Sequence, residues 1–186
     1  LQDADMEGHN GWTIDQIRGG IGTWRAATDP GIILLMIGTN DMHGYGSDTL
    51  GPPARLDTLL REILVLSPRA HVFVAAIPPL SYSDGNARVE TYNAALPGIV
   101  EAKAKLGFAV TFVDINSLLT VADLDDGVHP NDTGFRKIAQ GYYDAIVAAT
   151  DSLSTGVAGI GRGVPLRVTG EIRRDSGRFF DVAGRR

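Results

Sequence analysis

The sequence of 186 residues predicts a three-layer α/β/α sandwich with a mainly parallel sheet. Two observations lead to this fold class. After one opening helical segment, short apolar runs alternate with longer helical patterns in the order strand, helix, strand, helix, strand, helix. Strands that are joined by helices pair in parallel through right-handed crossovers, and the helices then cover the sheet. The length corresponds to a single domain.

Three short apolar runs predict the strands, at residues 32–37, 72–77 and 110–113. The first run is too short for a helix and rich in Ile and Leu, and it closes at Gly38, so we expect a buried strand. The second run stops at Pro78-Pro79, because proline cannot continue a central strand.

Four helices are predicted, at residues 13–27, 54–66, 87–106 and 131–149. Thr13 and Gln16 fit a capping box at the first, although nearby glycines weaken that helix. Pro97 is expected to kink the third, and either Asn131 or Asp132 caps the fourth. The second is amphipathic, with an apolar face formed by Leu56, Leu59, Leu60, Ile63 and Leu66.

The composition excludes several classes of protein. Of the residues, 44% are hydrophobic and 21% are charged, as in ordinary soluble globular domains. The absence of cysteine excludes a disulfide scaffold, a thiolate zinc site and a cysteine nucleophile. A net charge of −5 argues against nucleic acid or an anionic membrane as a partner. No apolar run is long enough for a membrane span, and the first residues lack a signal-peptide pattern.

The last part of the chain differs from the rest. We predict one domain over residues 1–150 and a Gly/Arg-rich tail over 151–186, which has seven arginines against four acidic residues. Four glycines between positions 156 and 163 favour a flexible linker. Residues 164–172 and 178–182 are candidate strands that would complete the sheet.

Three polar segments are expected to converge at one edge of the sheet, because ligands bind beyond the carboxyl ends of parallel strands. One segment follows the first strand and contains Asn40, and another follows the third strand and contains Asp126 and His129. The third is the turn around Gly11 before the first helix. Asp126 and His129 can form the orienting pair of a nucleophilic hydrolase, and Asn40 with the Gly11 N–H can stabilise an oxyanion.

Other readings of these residues stay open. His129 before a proline can simply lie at a helix start, and Asn40 can simply make a turn bond. A metal-assisted hydrolase would use Asp126 and His129 with a nearby acid such as Asp125. The acidic stretch around these residues does not fit an EF-hand, because its glycine is misplaced and Gly134 stands where the closing Glu belongs. No phosphate-binding glycine motif is present.

At these residues the chain resembles the SGNH (GDSL-type) hydrolases, a family of serine esterases, lipases and carbohydrate deacetylases. Three segments are similar, in order, to sequence blocks of that family: Gly8-His9-Asn10-Gly11-Trp12-Thr13-Ile14, Gly38-Thr39-Asn40-Asp41 and Asp126-Gly127-Val128-His129-Pro130. The resemblance covers residues 5–148 and implies a flavodoxin-like sandwich. Within the family, the matching residues are most similar to those of carbohydrate acetyl esterases such as acetylxylan esterases.

The resemblance implies a role for each matching residue. His129 and Asp126 would be the base and acid of a Ser-His-Asp triad, and Gly11 and Asn40 would be oxyanion donors. It also implies no cofactor, a small ester or acetylated carbohydrate as substrate, and secretion. The function expected from the sequence is therefore hydrolysis of acyl, most of all acetyl, esters on a carbohydrate.

The chain departs from the family at the nucleophile, because Gly-Asp-Ser occurs nowhere in it. A circular permutation would place the tail segments ahead of Leu1, with Ser176 as candidate nucleophile. A second possibility is that the chain is a fragment that lacks the first strand and the nucleophile. A third is a catalytically inactive SGNH-like domain that binds an ester or carbohydrate.

Overall fold

The computed structural model describes residues 6–44 and 51–156. In chain order the elements are α1 (Ile14–Ala27), β1 (Ile32–Leu35), α2 (Thr39–His43), α3 (Pro52–Leu66), β2 (His71–Ala75), α4 (Ser83–Lys105), β3 (Val110–Val113), two 3-10 turns (Asn116–Leu118 and Val121–Asp123) and α5 (Asp132–Gly156). None of the helices within these ranges has the length and apolar character to cross a membrane.

Within the described residues the sheet contains three parallel strands in the order β1-β2-β3. Helices α1, α3 and α4 pack around one face, with a core that includes Leu59, Val72 and Val74. Helix α5 covers the other face, where Ile138 packs in the same cluster as Phe73. The predicted three-layer α/β/α sandwich is confirmed.

Strand β1 is less buried than predicted. It ends at Leu35, two residues early, and its side chains alternate. Ile32 and Leu34 are 48% and 50% exposed, whereas Leu35 is buried. The reason is the position of α5, which packs on β2 and β3 and leaves this face of β1 open among the described residues.

The local helix signals are confirmed. The Thr13 N–H donates to Gln16 Oε1 at 2.8 Å, which closes the capping box of α1. Asn131, rather than Asp132, caps α5, because its Oδ1 accepts from the N–H groups of Thr133 and Gly134 at 3.0 and 3.1 Å.

Some details of the predicted helices are wrong. Helix α3 ends at Leu66 as predicted, but this residue of the predicted apolar face is 42% exposed because it lies in the last turn of the helix. Helix α4 starts at Ser83, four residues early, and Pro97 lies inside it. Helix α5 continues to Gly156, past the end predicted for it at residue 149. The remaining tail, with its two candidate strands and Ser176, lies outside the described residues.

Candidate active site

The loop after β3 holds Asp126 and His129 in a closed turn. Asp126 Oδ2 lies 2.8 Å from His129 Nδ1. Asp126 Oδ1 accepts the backbone N–H groups of Val128 and His129 at 3.0 and 2.9 Å. Both side chains remain about half exposed, 57% for Asp126 and 51% for His129. The pair that the sequence predicted is therefore formed, and it faces open space.

These contacts fix the charge and the tautomer of the pair. The hydrogen bond from the His129 backbone N–H, followed by that from its imidazole, holds the pKa of Asp126 well below its usual range. An ionised carboxylate only accepts, so Nδ1 of a neutral His129 carries the proton and Nε2 carries the basic lone pair. Among the described residues, Nε2 has no hydrogen-bond partner.

Gly127 makes the tight turn possible in two ways. Its φ is +84°, a value that side chains disfavour, and a Cβ there would collide with the side chain of Ser81. The Ser81 N–H also donates to the Gly127 carbonyl at 2.9 Å. Ser81 therefore packs against the turn and hydrogen-bonds to it, a contact that the sequence did not predict.

The turn is also fastened to the start of α5. The Asp125 N–H donates to the His129 carbonyl at 2.8 Å, and the Asn131 N–H donates to the Asp123 carbonyl at 2.9 Å. The Asp123 carboxylate accepts from Lys137 Nζ at 2.8 Å, and mainly this contact lowers the Asp123 pKa. These bonds hold the residues before and after the turn on one helix end.

Asn40 lies at the start of α2, directly after β1, and reaches the turn before α1. Its Nδ2 donates to the Trp12 carbonyl at 2.8 Å. The neighbouring Gly11 has φ +78°, and within the described part of the chain no atom beyond its sequence neighbours lies within 4 Å of the position of a Cβ. Since an amide nitrogen has two N–H groups, one remains for a ligand beside the exposed Gly11. The structure thus brings Asn40 and the Gly11 turn together.

Asp41 ties the same two segments from the inside. It is fully buried, and its Oδ2 accepts the Ile14 N–H at 3.0 Å while its Oδ1 accepts Arg55 Nη2 at 2.9 Å. The carboxylate therefore binds the first turn of α1 to the segment that carries Asn40. A buried carboxylate needs such partners, since its burial alone would be costly.

The backbone conformation of Gly38 directs the segment that carries Asn40 toward the candidate site. Its φ is +122°, and a Cβ there would meet the ring of Tyr92. The Tyr92 hydroxyl donates to the Ile37 carbonyl at 2.8 Å, and burial raises the pKa of this phenol far above its usual value. The strand end is thus clamped by α4, and the chain turns sharply into α2.

The Ser81-Tyr82 segment, between β2 and α4, contacts both the turn that holds Asp126 and His129 and the helix that carries Asn40. Ser81 contacts Gly127, as described above. The Tyr82 hydroxyl lies 2.6 Å from His43 Nδ1, and His43 is the last residue of the helix that carries Asn40. This bridge was not predicted, because His43 and Tyr82 lie 39 residues apart in the sequence.

His71 lies at the start of β2, with Nε2 2.8 Å from Thr111 Oγ1, and so contacts the neighbouring strand. Within residues 6–44 and 51–156, no group of three or more His, Cys, Asp or Glu side chains is arranged to hold a metal ion.

Comparison with known proteins gives relatives that are esterases by name. A family 3 carbohydrate esterase from Clostridium thermocellum is 33% identical, with a TM-score of 0.67 over 81% of this chain and 73% of that one. A serine-to-alanine mutant of an acetyl esterase, solved with an acetate ion, is 31% identical, with a TM-score of 0.69 over 78% and 72% of the two chains.

A protein of Acetivibrio thermocellus, provisionally named endoglucanase X, is 32% identical over 134 residues. The match takes in 70% of this chain but only 56% of that protein, so the chain spans about half of its length. The family model described as GDSL-like Lipase/Acylhydrolase family matches residues 1–137. The chain therefore belongs to the GDSL-like lipase/acylhydrolase family.

Proposed function

We propose that the chain carries the site of a serine esterase that hydrolyses acyl esters, most of all acetyl esters on a carbohydrate. The observation that carries the proposal is the Asp126–His129 pair, joined at 2.8 Å with Nε2 directed to no other described residue. Asn40 and the open Gly11 turn lie together on the same edge of the sheet and supply the donors that ester hydrolysis requires.

The mechanism uses each group for one task. A serine oxygen attacks the ester carbonyl while His129 Nε2 takes the serine proton. Asp126 holds the imidazole through Nδ1 and stabilises its positive charge. Asn40 Nδ2 and the Gly11 N–H stabilise the negative charge on the former carbonyl oxygen. His129 then gives the proton to the leaving alcohol, and a water activated in the same way releases the acid from the serine.

Two findings support an acetylated sugar as substrate. Two of the relatives above 30% identity are an acetyl esterase, solved with acetate, and a family 3 carbohydrate esterase. The net charge of −5 favours a neutral ligand over an anionic one. Action on such a substrate would fit a secreted protein.

The second candidate is a domain that binds the ester or carbohydrate without cleaving it. It would use the same open Gly11 turn and Asn40 amide to hold the ligand, and it requires no nucleophile. Ser176 stays the candidate nucleophile of the permuted arrangement. Saturable binding of an acetylated sugar with no release of acetate would establish this second function.

Hydrolysis of p-nitrophenyl acetate by the 186-residue chain tests the proposal. Loss of one triad member typically costs about 10⁴-fold or more in turnover, so His129→Ala is expected to abolish it. His71→Gln is the matched control, because His71 contacts Thr111 at the start of β2, whereas the candidate site lies beyond the carboxyl ends of the strands. Activity of His129→Ala within tenfold of the parent would contradict the assignment of His129 as the catalytic base.

A fluorophosphonate probe followed by intact mass measurement then locates the nucleophile. One adduct per chain, absent from His129→Ala, is the result expected of a complete triad. Peptide mapping of the adduct tests Ser176 directly. Turnover without any adduct would exclude a serine nucleophile.

A further inference from the structure

Three aromatic rings form a cluster around the Gly11 turn. His9 stacks on Trp12 with ring centroids 4.0 Å apart and an interplanar angle of 15°. His9 also stacks against Trp24 of α1 at 5.1 Å and 17°. At the rim, Glu7 Oε2 lies 3.1 Å from His9 Nε2. We call these three rings the aromatic platform.

The platform is built into α1. A Cβ at Gly20 would collide with the indole of Trp24, so the glycine one turn earlier lets this ring lie flat on the helix. The glycine that weakens the helix prediction thus has a packing function. Unlike the buried rings of Phe73 and Tyr92, all three rings of the platform are only partly buried.

The platform adjoins the proposed oxyanion donors. Gly11 lies between His9 and Trp12 in the chain and is exposed. The Trp12 carbonyl is the acceptor of Asn40 Nδ2 at 2.8 Å. A ligand whose carbonyl oxygen meets Gly11 and Asn40 therefore has its adjoining group within reach of these rings.

We propose that the aromatic platform is the subsite for the neutral sugar ring that carries the ester. His9 stacks on both indoles, and the indoles pack against the core, so the surface left to a ligand is the exposed outer side of the stack. This aromatic surface is apolar and weakly negative, which suits the C–H face of a pyranose. The Glu7 carboxylate, whose side chain is 40% exposed, can accept hydrogen bonds from sugar hydroxyls. The placement of the ester rests on the proposed function, but binding of the sugar requires no nucleophile.

Tryptophan fluorescence reads this site directly, because Trp12 and Trp24 are the only tryptophans in the chain. Titration with an acetylated xylo-oligosaccharide is expected to give a saturable change in emission. In Trp24→Phe, where Trp12 is the single reporter, the change should persist. No saturable change in the folded chain would overturn the proposal.

The variant His9→Ala tests, without relying on fluorescence, whether the aromatic platform contributes to binding. It is expected to weaken binding at least tenfold in calorimetry, with the fold checked by circular dichroism. Tyr143→Ala is the control, because Tyr143 is an aromatic residue 55% exposed on α5, across the sheet. Equal affinities of the parent and His9→Ala would contradict the platform.

The same variants separate this proposal from the esterase proposal. If the parent binds the oligosaccharide but hydrolyses no ester, the platform holds and the esterase assignment falls. If the parent hydrolyses p-nitrophenyl acetate but His9→Ala leaves KM for the acetylated oligosaccharide unchanged, the platform falls and the esterase assignment holds. The expected result is a raised KM of His9→Ala for the oligosaccharide, while Tyr143→Ala keeps the KM of the parent.

Discussion

The two halves of the candidate site are built in opposite ways. In the acid–base half, Asp126 and His129 are three residues apart, and both side chains are about half exposed. In the oxyanion half, the bonds between Trp12 and Asn40 and between Ile14 and Asp41 join segments 28 and 27 residues apart. The first half is a local turn, and the second depends on the packing of α1 and α3 against the sheet.

Because of this difference, we expect substitutions in the two halves to affect catalysis and stability to different extents. The exposed side chains of Asp126 and His129 contribute little to folding, so changes at these two residues should act mainly on catalysis. A buried cross-link between distant segments should act on both, because its loss also releases the core. The two aspartates that organise the halves, Asp41 and Asp126, are the matched pair for testing this.

The largest expected effect on stability comes from Asp41→Ala. The change leaves the buried Ile14 N–H without its acceptor and removes the nearer of two carboxylates beside Arg55, which keeps Asp15 at 3.5 Å, and it should lower the free energy of unfolding by about 3 kcal/mol. Asp126→Ala should cost less than about 1 kcal/mol, because its side chain is exposed. Urea unfolding of both variants makes the measurement. Equal losses would refute the division of the site into local and packed halves.

The next effect comes from Gly127→Ala, with Gly107→Ala as its control. Both glycines have similar φ values, +84° and +88°, but only at Gly127 would a Cβ meet Ser81. Each change should cost about 1–2 kcal/mol for its left-handed backbone, and Gly127→Ala more because Ser81 must move. Thermal unfolding measures this difference. Ester hydrolysis should fall in Gly127→Ala only; a similar fall in Gly107→Ala would contradict the role of Ser81.

The smallest effect is a pH dependence of stability. The folded-state pKa of Asp126 is lowered, so its ionised form stabilises the fold above the unfolded pKa, about 4. This contribution is lost as the pH falls below about 4 toward the folded pKa. Unfolding measured from about pH 6 to about pH 2 should therefore show a shallower loss for Asp126→Asn than for the parent. An identical slope for the two would exclude Asp126 as a source of acid sensitivity.

The sequence predicted what depends on neighbouring residues. Thr13 with Gln16, Asn131 at the start of α5, and the turn from Asp126 to His129 each place donor and acceptor within a few residues. Their spacing alone fixes their geometry, so local patterns found them. The order of strands and helices followed in the same way, from the period of apolar residues.

The sequence did not predict contacts that depend on packing. The support of Gly127 by Ser81 and the bond between Tyr82 and His43 exist only because β2 lies between β1 and β3. Likewise, the exposure of Leu34 follows from the position of α5 on the neighbouring strands and not from its own apolar side chain. Such features require the assembled sheet.

The central claim is that the two halves act on one reaction, and a double-mutant cycle tests it. The kcat/KM for p-nitrophenyl acetate is measured for the parent, His129→Ala, Asn40→Ala and the double variant. Asn40→Ala is expected to lose about 10²–10³-fold, and the double variant hardly more than His129→Ala alone, because groups that act as a unit are not additive. Either single variant within tenfold of the parent, or two fully additive losses, would contradict the account.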